Sequence, residues 1–305
     1  MTATALLICL FSIGIEEVMA KASEPYMASK VFQENYITKN GTIYRTADDG
    51  TQIAVRKHFS ADFENVNQLK DLIGLKYLFT AFTLQSPRAA TVKSYVQLRK
   101  NIMEGKESFR DNALLLSKAP NVYRGNRALK AYAVAKNSKI GTSKASLATE
   151  LLHFVSGDNF WFSAWCFIPS GHRPFGLVDL ESTWGSQYPG MRLVLSEEGY
   201  LWVELKSRNK VKYRQVHDKA VPLPLDKWVN LKLHFHLSEK DNEGRVRVWQ
   251  DGDLIIDKYG KTLPNKETIL NNLEIGITAH SFGEVPAMVY FDNITVSDKP
   301  IIDNK

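Results

Sequence analysis

The chain has 305 residues, with 39 Lys and Arg against 33 Asp and Glu and a net charge of +6. Hydrophobic residues make up 44% and charged residues 24%, which excludes a disordered chain, and 18 Gly with 11 Pro exclude collagen-like and low-complexity classes. The mild basic excess permits an anionic partner without requiring one.

In chain order, Ala3 to Ile15 is an apolar run of secretory length, followed by Ala20-Lys21-Ala22 as a small-residue cleavage site. This predicts a signal peptide over 1–22 and a secreted product, extracellular or periplasmic. No Lys or Arg precedes the run, and a buried N-terminal helix is the alternative. No other stretch is long and apolar enough to span a bilayer. Cys9 falls in the signal, and Cys166, between Trp165 and Phe167, reads as a buried, inert thiol. Residues 23–109 read as an N-terminal extension packed on the main domain. Turn signals at Asn40-Gly41 and Asp49-Gly50 suggest one short hairpin, and 77–84 is strand-like. Val92, Tyr95, Val96, Ile102 and Met103 are spaced for a helix over 90–103, with Gly105 as its stop.

From residue 110 to 300 short β-rich runs follow one another: 113–116, 128–135, 159–168, 191–196, 200–206, 210–216, 228–237, 244–250, 254–257, 273–278 and 287–296. Glu198-Gly199, Asn242-Glu243-Gly244 and Asp251-Gly252 supply hairpin turns. Many strands and one helix predict an all-β jelly-roll sandwich, with 301–305 as a tail.

A strand points alternate residues to opposite faces. Leu201, Val203 and Leu205 form a core set, with Trp202, Glu204 and Lys206 opposite. Leu231, Leu233, Phe235 and Leu237 leave Lys232, His234 and His236 on the other face, and Val246 and Val248 leave Arg245, Arg247 and Trp249. The bases Lys206, Arg208, Lys210, Lys212 and Arg214 share one parity, with Val211 and Tyr213 opposite. Indoles stack on sugar rings and bases pair with acidic groups, so this surface suits an anionic polysaccharide. The alternative is a solvated sheet face or a guarded edge. Residues 159–168 are apolar on both faces, as in a doubly covered central strand, the alternative being the aromatic floor of a groove.

Several segments resemble the heparin-lyase-I-like polysaccharide lyases, which are concanavalin A-like jelly rolls. These are Gly125-Asn126-Arg127-Ala128-Leu129-Lys130, Gly157-Asp158-Asn159-Phe160-Trp161-Phe162-Ser163, Lys227-Trp228-Val229-Asn230 leading to Gly244 through Gly252, and Val289-Tyr290-Phe291-Asp292-Asn293-Ile294. The resemblance implies β-elimination on uronic-acid glycans, with a Lys-x-Gly-x-Tyr stretch before the closing strand. The matching segment here is Glu274-Ile275-Gly276-Ile277-Thr278, so both functional positions differ, and a threonine hydroxyl is a poor general base. Candidate replacements are His234 or His236 as base and Tyr213, Tyr188 or Tyr259 as acid, with Lys206, Arg208 or Arg247 neutralising a carboxylate. Asp179 and Glu181 share a strand face, as an acid/base pair does in glycoside hydrolases.

Substrate contacts are expected from Trp202, Lys206, Arg208, Lys212, Arg214, Lys232, Arg245, Arg247 and Trp249. No cofactor is required by this reading. Asp292 is the candidate for a structural calcium, beside an ordinary turn role. The expected partner is an anionic polysaccharide, not nucleic acid. Three functions stay open: recognition without cleavage, a divergent lyase, and a structural or adhesive surface domain.

Overall fold

The computed structural model describes residues 32–47, 49–75, 77–118, 120–137, 139–182, 190–206, 211–281 and 283–302. The expected signal peptide lies outside the described residues, as do Tyr188, Arg208 and Lys210.

The strands are β1 (Phe32–Lys39), β2 (Thr42–Ala47), β3 (Gln52–Ala54), β4 (Phe59–Ala61), β5 (Ala81–Gln85), β6 (Ala113–Ser117), β7 (Ala128–Ala133), β8 (Ser143–Thr149) and β9 (Asn159–Phe167). They continue as β10 (Gly176–Glu181), β11 (Met191–Leu195), β12 (Leu201–Leu205), β13 (Val211–Arg214), β14 (Trp228–His236), β15 (Arg245–Gln250), β16 (Asp253–Tyr259), β17 (Asn272–His280) and β18 (Ala287–Ser297). Helix α1 spans Val92–Met103.

Two antiparallel sheets face each other across one core. The first runs β13-β12-β11-β10-β17-β8-β5, and the second β16-β15-β14-β9-β18-β7-β6 with β4 beside β18. This is the jelly-roll sandwich that the strand spacing predicts. Its core holds Leu201, Val203, Leu205, Leu180, Ile275 and Leu147 from the first sheet. From the second come Phe160, Phe162, Leu231, Leu233, Phe235, Val246 and Val248. Phe160 stacks on Phe235 with centroids 5.8 Å apart.

Local chemistry fixes the hairpins. Asn40 and Gly41 take φ of 50° and 76° between β1 and β2, and Asp251 and Gly252 take 50° and 90° between β15 and β16. Both pairs suit the left-handed turn that matches strand twist. The N-terminal extension is woven into the sandwich: β4 pairs with β18 and β5 with β8. Thr91 caps α1, its hydroxyl accepting from the Ser94 amide at 3.2 Å. The helix lies on β5, where Arg99 Nη1 donates to the Phe82 carbonyl at 3.3 Å and Tyr95 is buried.

The doubly covered reading of 159–168 holds for one face only. β9 is central, between β14 and β18. Phe160, Phe162, Ala164 and Cys166 enter the core, whereas Trp165 and Phe167 are half-exposed on the outer face and Trp161 is buried there among its neighbours. Cys166 is a free buried thiol that burial pushes up, in keeping with an inert role.

Candidate functional site on the outer face of the seven-stranded sheet

The segment Glu274-Ile275-Gly276-Ile277-Thr278 forms the middle of β17, directly before the closing strand β18. Ile275 and Ile277 point into the core, so Glu274, Gly276 and Thr278 share the outer face. Gly276 has φ of 131°, and a Cβ there would lie 2.6 Å from the Ala145 carbonyl oxygen. Close strand approach therefore demands glycine at the centre of the segment.

Register then assembles one row across the sheet: Lys212, Glu204, Arg192, Asp179, Glu274, Ala148 and Ala81. Two residues along β10, Glu181 opposes Asn272. Arg192 Nε donates to Asp179 at 2.8 Å and its Nη1 reaches Glu204 at 3.5 Å. Lys206 Nζ bonds Asp179 at 2.8 Å and also pairs with Glu181. Thr278 Oγ1 donates to Asp179 at 2.9 Å, and Ser146 Oγ to Glu274 at 2.9 Å. Asp179, Glu181, Glu204, Glu274 and Lys144 are all buried on this face.

Burial decides the proton affinities. Taking a carboxylate out of water disfavours its charge. For Asp179 that effect is overcome by Arg192 and Lys206, which hold its carboxyl well below the usual range. For Glu181 burial wins: aided by Glu274 and Asp179 against the pull of Lys206, it pushes the carboxyl up to about 7. Burial likewise lowers Lys144, although Glu274 and Glu181 oppose it. Tyr95, reaching in from α1, is pushed up by burial and by the charge on Glu274. The cluster thus holds a carboxyl poised to exchange a proton near neutrality beside a fixed ammonium.

At the β12–β13 edge Trp202 lies under two cations. Lys212 Nζ is 4.9 Å and Arg214 Cζ 5.4 Å from its ring centroid, and both bases are exposed. Phe175 meets the indole edge-on at 6.3 Å.

The structure divides the residues expected to form one surface between two sheets. Trp202, Lys206, Lys212 and Arg214 lie on the outer face of the seven-stranded sheet. Lys232, His234, His236, Arg245, Arg247 and Trp249 lie on the outer face of the other sheet, across the core. His234 is buried, and desolvation with the Arg247 charge drives it down to about 3, so it is neutral and a weak base near pH 7. Its Nε2 meets Asn159 Oδ1 at 2.8 Å, and His236 Nδ1 shares that oxygen at 3.3 Å. Tyr213 is turned into the core, its hydroxyl donating to the Lys261 carbonyl at 2.6 Å, which removes it from a sugar chain. Tyr259 is exposed beneath Arg245 on the second sheet.

Asp292 is fully buried, and its carboxylate accepts the amides of Tyr123 and Arg124, each at 3.2 Å, and of Asn293 at 2.7 Å. Those three amides staple a loop, which is the turn role that the sequence offered beside calcium. Among the described residues no group of three His, Cys, Asp or Glu is placed to hold a metal.

Sequence reasoning missed Arg192, Lys144, Ser146 and Tyr95 as parts of the cluster. Arg192 was legible as the lone charge in Met191–Leu195. β8 gave no signal, because Ser-Lys-Ala-Ser-Leu-Ala-Thr is small and mixed yet wholly buried.

A family model described as polysaccharide lyase matches residues 107–295, more than half of the chain. No curated protein matches it. Among solved structures the chain is similar to an endo-β-1,4-glucuronan lyase from the fungus Trichoderma reesei. The identity is 11% and the TM-score 0.51, over 72% of this chain and 95% of that one. It is also similar to the cellulose-induced protein Cip1, at 13% identity and a TM-score of 0.51, over 80% of this chain and 98% of that one. At such identities the two likenesses speak for the fold, whereas the family match rests on the sequence from the helix end to the closing strand. The chain belongs to the polysaccharide lyase family.

Proposed function

We propose that this chain is a secreted polysaccharide-recognising member of the family that binds its glycan along the outer face of the seven-stranded sheet without the family's elimination pair. The observation that carries the reading is β17. At the places where the resemblance implies Lys and Tyr it presents Glu274 and Thr278, and the Thr278 hydroxyl is already engaged by Asp179. β-Elimination next to a uronate carboxylate needs cations to take up the developing charge. Here Arg192 and Lys206 are held by Asp179, Glu181 and Glu204. A uronate brought to about 4 Å from one of these carboxylates would be repelled by about 4 kcal/mol at an effective surface dielectric. The sugar contacts fall instead to the edge, where Lys212 and Arg214, held over the buried Trp202 ring, offer exposed charge. Affinity electrophoresis in gels containing glucuronan or alginate tests this. Retardation that Trp202→Ala weakens supports it, and migration unaffected by any polymer refutes it.

A second reading has one observation in its favour. Glu181, poised near 7 beside Lys206, is placed as a general acid or base. If it cleaves glycan, product formation will vanish in Glu181→Gln while binding persists.

A further inference from the structure

The outer face of the eight-stranded sheet is the part of the molecule that the function above leaves unused, and it carries four of the chain's six tryptophans. Register sets its residues in rows. Trp249 opposes Lys232, which opposes Ser163; Arg247 opposes His234, which opposes Trp161. Further along, Asn230 opposes Trp165, and Trp228 opposes Phe167.

The central feature is a guanidinium laid over two indoles. Arg247 Cζ is 5.5 Å from the ring centroids of both Trp161 and Trp249, and these rings lie 5.7 Å apart at 22°. Arg247 Nε donates to His234 Nδ1 at 3.2 Å, and the imidazole is anchored at its far side by Asn159. A neutral His234 acts as acceptor and fixes the guanidinium plane. Arg247 bonds through Nε, and its terminal nitrogens make no hydrogen bond among the described residues, although Asp257 of β16 stands opposite it in register. Lys232 Nζ stands 5.6 Å from the Trp249 centroid.

A second aromatic stack lies further along the same face. The amides of Tyr123 and Arg124 are tied to Asp292, which sets the Tyr123 ring on Trp165 at 3.7 Å and 12°. Tyr123 is exposed, at 39%, and Trp165 beneath it is half-buried. Trp161 and Trp165 are four residues apart on one face of β9, about 13 Å, longer than one pyranose ring. No acid occupies an outward position on β9, β14 or β15. The nearby Asp257 on β16 is clasped bidentately by Arg245 at 2.7 and 2.6 Å.

We infer that this face is a second polysaccharide-binding surface, across the core from the seven-stranded sheet, for an anionic glycan whose rings stack on Trp249 and on the Trp165–Tyr123 pair. Its carboxylate or sulfate groups pair with the terminal nitrogens of Arg247. A planar fork backed by indoles matches a carboxylate or sulfate in two hydrogen bonds, and the indoles supply the apolar faces that sugar rings need. No acid stands outward on these three adjacent strands, and the nearest, Asp257, is held by Arg245.

This inference rests on the reading that the chain handles polysaccharide, and the experiment separates the two. The full chain and its Arg247→Ala, Arg247→Lys, Trp249→Ala and Trp202→Ala variants are run in native gels containing alginate, dextran sulfate or neutral dextran. Circular dichroism melting checks that each variant is folded. Arg247→Ala and Trp249→Ala should each weaken retardation by an anionic polymer about tenfold, with Arg247→Lys in between and dextran inert. Loss confined to alginate assigns a uronate, and loss confined to dextran sulfate assigns a sulfated glycan. Unchanged retardation in folded Arg247→Ala and Trp249→Ala, with weakening in Trp202→Ala, overturns this inference and leaves the earlier reading standing. No retardation of the unaltered chain by any polymer overturns both.

Discussion

The outer faces of the two sheets share one backbone plan and opposite chemistry. On the seven-stranded sheet, cross-strand neighbours are of opposite sign, and Asp179, Arg192, Glu204, Lys206 and Glu181 neutralise one another in a buried cluster. On the eight-stranded sheet Lys232 and Arg247 lie over indoles, and Asp257 of β16 is clasped by Arg245. Buried charge is tolerated only with a partner, so the first face is built around internal complementarity. The second holds its Arg247 guanidinium over two indoles, with Nε bonded to a neutral imidazole. Strand alternation supplied both faces, and the chemistry of the partner residue decided which became closed and which stayed available.

The largest expected effect comes from breaking the closed face. Asp179→Asn removes the buried carboxylate that Arg192 and Lys206 share, leaving them only Glu204 and Glu181, and should cost about 3 kcal/mol in urea denaturation. A loss under about 1 kcal/mol would mean that the cluster is wetter than its burial implies. The same comparison on the open face predicts a small number: the Arg245–Asp257 pair is about a third exposed, so Asp257→Asn should cost well under 1 kcal/mol.

A pH series sharpens the contrast. Glu181 is raised from 4.5 to about 7, so the folded state holds that proton more tightly than the unfolded chain. Its stabilising contribution is complete below 4.5 and is lost as the pH rises through about 7. Asp179 has the opposite sign: its contribution is present above 3.8 and is lost as the pH falls below that value. The groups facing Glu181 are Lys206, Glu274, Asp179 and Lys144. Glu181→Gln should flatten the decline between 4.5 and 7, read as the urea midpoint against pH, and an identical slope in the variant would remove Glu181 as its source.

A smaller effect is expected at the helix. Thr91→Ala removes the cap of α1 and should cost about 1 kcal/mol. Because α1 packs on β5, the change should loosen Tyr95 and leave the Trp249 face untouched, as tryptophan fluorescence in the presence of an anionic polymer would register.

Much of this architecture was legible in the sequence. Alternating Leu, Val and Phe in 201–205, 231–237 and 246–248 gave the inward faces, and Asn-Gly and Asp-Gly pairs gave two hairpins. The Glu274–Thr278 segment was placed before the closing strand by the family resemblance, with Gly276 at its centre. Other features were hidden for physical reasons. A period of two says which side chains share a face of one strand but not which strands share a sheet, so Trp202 and Trp249 read alike and lie on opposite sides of the core. β8 is buried on both faces by small residues and shows no alternation. His234 and Glu181 were legible as candidate acid or base groups, but their proton affinities were not, because burial and partner groups depend on pairings as far as 75 and 91 residues away in the chain.

The central claim is that the family's elimination chemistry is missing from the seven-stranded face while glycan recognition persists. Its most direct test is the ultraviolet absorbance of the unsaturated uronate released from glucuronan and alginate, measured on protein shown in the same buffer to bind the polymer. The account predicts binding with a flat absorbance trace. A steady rise that disappears in Glu181→Gln would contradict it and make the buried cluster an active site.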